Sequence, residues 1–232
     1  MIVEKEVLFL YEVYLKSKKG CYKANNEDQI AMMKFKINHK IYMLGIICDG
    51  VGGMKKAKQA SHFVVLKIKQ MIKQIKVNDS RAIMIAIEKM LKHIHEMLKD
   101  KGKMQMGTTL TMILLDEQRY FIFHVGDSRI YGYRNKQIKQ LSEDHCIYKN
   151  GRKLLIQAIG VNKEIEIQMM SGKLDENSGF ILCSDGFYKH YNKDQLKQLM
   201  STFDIASTCE RMFERIKELD DMSVLIIKVN HG

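Results

Sequence analysis

Aspartates stand at the ends of apolar runs in four places, most of them beside glycine. The runs are Ile46-Ile47-Cys48-Asp49-Gly50-Val51-Gly52-Gly53, His124-Val125-Gly126-Asp127-Ser128-Arg129, Leu182-Cys183-Ser184-Asp185-Gly186 and Leu219-Asp220-Asp221-Met222-Ser223. A carboxylate at the end of a buried strand is costly unless positive charge compensates it. Four such places in one domain point to a shared compensator, most simply a cluster of hard divalent cations. Ligation by oxygen alone favours Mg2+ or Mn2+ over zinc, which prefers His and Cys. Taken singly, each Asp-Gly is a common turn.

The rest of the pattern says what holds those aspartates. Residues 7–15 read as a strand, and 30–36 and 41–48 as a hairpin around the turn-prone Asn38-His39. The period then changes. Ala60, Val64, Ile68, Met71 and Ile75 repeat at helical spacing, as do Ile83, Ala86, Ile87, Met90, Ile94 and Met97, with Asp79 or Ser80 placed to cap the second helix. Residues 108–115, 120–125, 129–134 and 138–141 read as an antiparallel meander. Strands at 164–170 and 180–183, helices at 194–200 and 205–217, and an apolar strand at 222–229 complete the chain. Strands in antiparallel pairing, interrupted twice by helix pairs, imply two packed sheets with helices outside.

At 232 residues the chain is most economically one domain, 1–232. No stretch of apolar residues is long enough to cross a membrane, and the N-terminus lacks a secretory pattern. The five cysteines are scattered, odd in number and without a Cys-x-x-Cys pair, which fits reduced thiols in a cytoplasmic protein. The net charge of +11 comes from lysines spread along the whole chain, without aromatic interleaving. That distribution argues against a nucleic-acid partner and for a general field favouring phosphorylated ones.

In chain order, Asn26-Glu27-Asp28, Asp49-Gly50-Val51-Gly52-Gly53, Gly107-Thr108-Thr109, Val125-Gly126-Asp127-Ser128-Arg129, Asp144-His145, Ala158-Ile159-Gly160, Cys183-Ser184-Asp185-Gly186 and Asp220-Asp221-Met222-Ser223 stand as eight motifs. Together they resemble the metal-dependent Ser/Thr protein phosphatases of the 2C type, in a compact bacterial form, from about Gly20 to the end. The resemblance implies an α+β fold, a four-layer αββα sandwich of two packed, mainly antiparallel β-sheets flanked by helix pairs. It implies hydrolysis of phosphoserine and phosphothreonine on proteins. The cofactor would be two Mn2+ or Mg2+ ions sharing a bridging hydroxide.

The resemblance also assigns roles. Asp49 would bridge both ions and the Gly50 carbonyl would add a ligand. Asp185 and Asp220 would complete one shell, and Asp28, with Glu27, would hold the other ion directly or through water. Asp127, with Asp185, corresponds to the place of a third ion; read alone, it is equally a turn aspartate capping backbone amides. Glu27 and Asp28 read alone are a solvated loop. Lys23 stands where the family usually has the arginine that grips the substrate phosphate, and it offers a point charge without a bidentate fork. His145 has no implied catalytic role, and Cys48 and Cys183 lack the Cys-x5-Arg phosphate loop that a thiol nucleophile needs. The implied partners are phosphorylated proteins and the Ser/Thr kinase that produces them, met by a monomer.

Three departures stand against the family pattern. Asp221 occupies the usual place of asparagine. Lys23 replaces arginine. Residues 146–156 are too few for the mobile flap usual beside the active site, which predicts a more open metal site. These departures motivate the alternative of a catalytically weak or inactive relative that binds phosphoproteins in regulation.

Overall fold

A computed structural model describes residues 2–8, 11–77, 79–102, 105–217 and 219–229, with side chains from Tyr11 onward. One sheet has the order β1 (Ile2–Leu8), β2 (Tyr11–Lys18), β13 (Met222–Val229), β12 (Gly179–Cys183), β7 (Arg129–Arg134), β8 (Gln137–Gln140). The other has the order β11 (Gln168–Lys173), β6 (Arg119–Val125), β5 (Leu110–Leu115), β4 (Lys40–Asp49), β3 (Asp28–Ile37). Every pairing is antiparallel.

Alternation along the strands decides the layers. In β4, Tyr42, Leu44, Ile46 and Cys48 join one buried cluster, while Met43 and Ile47 join another. A strand buried on both faces needs a layer on each side. The first cluster is closed by helices α1 (Ala57–Met71) and α2 (Ser80–Gly102), through residues such as Val64, Ile68, Ile87 and Ile94. The second lies between the sheets and takes Val13, Leu15, Phe180, Leu182 and Leu225 from the opposite one. The outer face of that opposite sheet packs under α4 (Lys193–Ser201) and α5 (Ile205–Glu214), where Leu196, Leu199, Cys209 and Phe213 are buried. The result is the expected αββα sandwich. Among the described residues no helix is long and apolar enough to cross a membrane.

Local signals behave as their chemistry dictates. Asn38 and His39 both take positive φ, the geometry of a two-residue hairpin turn. The Asp79 carboxylate accepts hydrogen bonds from the Arg81 and Ala82 amides at 3.0 and 2.9 Å and so caps α2.

Three expectations need correction, and the short stretch in place of the flap gains structure of its own. The strand at 7–15 is two strands, β1 and β2, paired as a hairpin; residues 9 and 10 lie outside the described residues. The strand at 164–170 begins only at Gln168, although Ile165 and Ile167 are buried. Residues 146–156 form a hairpin, β9 (Cys146–Lys149) and β10 (Arg152–Leu155). The meander is divided: β5 and β6 belong to one sheet, β7 and β8 to the other. The chain crosses between sheets at Gly126, whose φ of 111° favours glycine. Turn residues reveal that a chain changes direction, and partners far away in sequence decide which sheet it joins.

Candidate active site

Strand register brings the acidic residues to one end of the sandwich. Asp28 opens β3 and Asp49 closes β4, and the two are directly opposite in the ladder. In the other sheet β12 and β13 run side by side. Asp185 follows β12 as the first residue of a short helix, α3 (Asp185–Tyr188), and Asp220-Asp221 precede β13. Asp127 lies in the crossing between the sheets, after Gly126. A cavity of about 450 Å3 collects Lys23, Asp49, Gly50, Asp127, Asp185 and Asp220 on its wall. Glu27 lines a neighbouring cleft instead, with Lys55 and Lys58. A larger cavity, about 880 Å3, lies between Tyr133, Asn177 and Lys228, and among the described residues its wall has a single acidic member, Glu176. The chemistry therefore belongs to the smaller one.

The backbone around Asp49 is fixed. Its amide donates to the Thr109 hydroxyl at 3.0 Å. Its carbonyl accepts from the Thr109 amide and the Thr108 hydroxyl, both at 2.8 Å. This gives Gly107-Thr108-Thr109 its place: it holds Asp49 by the main chain. Asp28 is 4% exposed, and neither of its carboxylate oxygens has a hydrogen-bond partner. The nearby hydroxyls are engaged elsewhere, Ser223 with Ser17 and Ser184 with the Ser223 amide. Buried polar atoms without partners are rare and need an explanation.

Electrostatics agree. Burial pushes the Asp28 carboxyl up to about 7, and repulsion from Asp221 adds to the rise. Burial, then repulsion from Asp28, Asp185, Asp220 and Asp127, holds Asp49 well above the usual carboxylate range. A carboxyl raised on folding favours the native state while protonated, and that stability is lost as pH rises through the folded pKa. The buried His124, its pKa lowered to about 4, contributes with the opposite sign, as do His95 and His145, which burial also lowers; their unfolded forms are half titrated at the ordinary histidine value of about 6.5, so this part offsets only some of the carboxyl effect above it. The metal-free protein is therefore expected to melt at a lower temperature at about pH 8.5 than at about pH 6.5, with excess Mn2+ removing most of the difference. Thermal melts at both pH values check this. Equal metal-free melting temperatures would mean that the two carboxylates are compensated from within the protein.

Three lysines face the other carboxylates. Lys23 Nζ lies 2.9 Å from Glu27, 2.5 Å from Asp220 and 3.3 Å from Asp221. Burial alone would lower its pKa; its hydrogen bonds to Asp220 and Glu27 prevail and raise it. Lys153 pairs with Asp127 and Lys189 with Asp185, each at 2.6 Å. No ion pair reaches Asp28 or Asp49 among the described residues, and no three His, Cys, Asp or Glu side chains among them converge on one point as they stand. The residues fit divalent cations all the same. Two facing carboxylates, one with both oxygens buried and unpartnered, form an all-oxygen donor set that lacks its counter-charge.

Asp221 is a structural residue. It is 2% exposed and accepts from the Gly20 amide at 2.9 Å and the Glu27 amide at 2.8 Å, pinning the loop that carries Lys23 and Asp28. Two residues that depart from the family pattern, Lys23 and Asp221, thus form an ion pair. Asp144 takes the Arg129 fork at 2.9 and 2.8 Å, and His145 accepts the Gly126 amide at 3.3 Å, so both brace the Asp127 turn. The Cys48 and Cys183 thiols are fully buried, and that burial pushes their pKa values up, which keeps them protonated.

Sequence reasoning missed Lys153 and Lys189. The four-residue spacing from Asp185, which opens α3, to Lys189, which caps its end, was a usable signal. Nothing local marked Lys153, whose partner lies 26 residues earlier. The short hairpin also does more than shorten a flap: Lys153, Leu154 and Leu155 wall the cavity.

Comparison with known proteins agrees with this geometry. The chain is 26% identical over 249 residues to protein phosphatase PhpP of Streptococcus pneumoniae, covering 94% of this chain and 98% of that one. It is 24% identical over 206 residues to serine/threonine phosphatase stp of Listeria monocytogenes, covering 79% and 81%. Its fold superposes on the serine/threonine phosphatase of S. agalactiae with TM-score 0.85 at 19% identity, covering 95% and 100% of the two chains. Against Stp1 of Staphylococcus aureus the TM-score is 0.83 at 21% identity, with 95% of each chain covered. Residues 22–222 match the model of the protein phosphatase 2C family, and the chain belongs to that family.

Proposed function

We propose that this phosphatase removes phosphate from phosphoserine and phosphothreonine in proteins, at the cavity over Asp49, with two Mn2+ or Mg2+ ions. The observation that carries the reading is the buried Asp28 carboxylate, unpartnered and opposite Asp49. Asp49 would serve both ions and the Gly50 carbonyl would add a ligand, with Asp185 and Asp220 on one side and Asp28 on the other. Glu27, in the neighbouring cleft and paired with Lys23, would act through water. When bound, such ions supply charge neutralisation on the phosphoryl oxygens and an activated water.

The chain's own residues do the rest. The main-chain bonds of Thr108 and Thr109 orient Asp49. The strand-end placement of Asp28, Asp185 and Asp220 keeps the site rigid. Lys23 Nζ, at the cavity wall, binds a phosphate oxygen and leaves Glu27 or Asp220 to do so. The thiols are held protonated and His145 is committed to the Gly126 amide, so neither serves as nucleophile. Residues 1–232 act as one catalytic domain, and the substrates are products of a Ser/Thr kinase.

Hydrolysis of p-nitrophenyl phosphate and of a phosphothreonine peptide, with and without Mn2+, tests the reading. Activity that survives exhaustive chelation would overturn it. Lys23→Ala is expected to lower kcat/KM for the phosphopeptide by about 10- to 100-fold, the worth of one charge-assisted hydrogen bond. A change of less than about twofold would remove Lys23 from phosphate binding.

A further inference from the structure

Not all the acidic residues at this end of the sandwich are treated alike. Asp28 and Asp49 have no lysine or arginine partner among the described residues, whereas Asp127, Asp185 and Asp220 pair with Lys153, Lys189 and Lys23; of these three lysines only Lys23 is drawn off to the substrate phosphate in the proposed reaction. The Lys153 seat is built. Its ammonium meets the Asp127 carboxylate at 2.6 Å and donates to the Tyr188 hydroxyl at 2.8 Å, with Asp144 at 3.8 Å. Two of the three ammonium donors are thus taken up, and Asp144 adds negative charge beyond hydrogen-bond distance. The Tyr188 hydroxyl donates in turn to the Asp127 carbonyl at 3.0 Å. The Arg129 guanidinium stacks 3.8 Å from the Tyr188 ring centroid while its fork holds Asp144. The β9–β10 hairpin that presents Lys153 is tied down where the Ile156 amide donates to the His145 carbonyl at 2.9 Å. Across the cavity, Lys189 engages Asp185 through Oδ2 alone.

We propose that the ammonium groups of Lys153 and Lys189 stand in for a third cation between Asp127 and Asp185, so that this chain holds two divalent ions at Asp28, Asp49, Asp220 and the remaining oxygen of Asp185 and takes no third ion between Asp127 and Asp185. The charges close: two carboxylates meet two ammonium groups. A divalent ion entering between Asp127 and Asp185 would have to displace both lysines or sit against them. The Asp28–Asp49 pair carries no such counter-charge and is where an ion is needed. Lys189 meets Asp185 through Oδ2, and among the described residues no ion pair reaches its Oδ1. The inference rests on the two-ion reading of Asp28, Asp49, Asp185 and Asp220.

The test counts bound ions. The full chain and its Lys153→Met, Lys189→Met and double variants are stripped with chelator and dialysed against millimolar Mn2+. Metal per chain is then measured by atomic spectroscopy and titration calorimetry. The wild type should bind two ions. The double variant should bind a third, at least about tenfold tighter than any residual third site in the wild type. Adding Asp127→Asn to the double variant should return the count to two. Three ions in the wild type, with Asp127→Asn lowering the count to two, would overturn the inference and leave the two-ion reading standing. A double variant that still binds two ions would also overturn it. A wild type binding fewer than two would overturn the two-ion reading itself, and the inference with it.

Discussion

Asp49→Asn should reduce Mn2+-dependent hydrolysis by at least about 10^3-fold, equivalent to ~4 kcal/mol of transition-state stabilisation. Asparagine keeps the shape and the main-chain bonds to Thr108 and Thr109, so the fold should survive. It removes the one carboxylate that faces Asp28 across the ladder and also feels Asp185, Asp220 and Asp127. The same loss should act oppositely on metal-free stability. Because Asp49 is held above the usual carboxylate range, its charged form costs stability at alkaline pH, and a neutral amide has no such cost. The variant should therefore melt at a higher temperature than the wild type without metal at about pH 8.5, and should gain less from Mn2+. Steady-state kinetics beside paired melts check both. Activity within about tenfold of wild type would sink the central role of Asp49.

Gly186→Ala should be among the most damaging small substitutions near the site. A Cβ at Gly186 would lie 2.2 Å from the Asp221 carbonyl oxygen, and main chain cannot rotate aside as a side chain can. Relief needs β12 and β13 to separate where the Ser184 amide donates to the Ser223 carbonyl at 3.0 Å. We expect a loss of about 3 kcal/mol or more, beyond ordinary overpacking because the obstacle is backbone. For a chain of this size that is a fall in Tm of roughly 6–12 °C. Activity should fall with it, since the same movement parts Asp185 from Asp220. A Tm within about 2 °C of wild type would show that the strand ends yield cheaply.

The sequence by itself determined much of this protein. Strand-end aspartates, most of them beside glycine, identified Asp49, Asp127, Asp185 and Asp220, because a buried strand cannot end on a carboxylate without a reason; Asp28, which reads alone as part of a solvated loop, was marked only by the family order of the motifs. The Asn38-His39 turn, flanked by apolar runs, put Asp28 opposite Asp49, since a two-residue turn fixes the register of its hairpin. Helical period found α1, α2, α4 and α5, because one face of each had to be apolar. Only the tertiary structure decided the rest. The assignment of β7 and β8 to the far sheet depended on pairing with β12, some fifty residues later along the chain. Turn chemistry carries no information about a partner at that distance. The role of Asp221 appeared only once the Gly20 and Glu27 amides, about two hundred residues earlier, converged on its carboxylate. Lys153 is one lysine among many in a basic chain, and only the folded hairpin brings it to Asp127. Local sequence fixes which groups sit at a strand's end. Which charges then meet is fixed by long-range pairing, for which the chain carries no local mark.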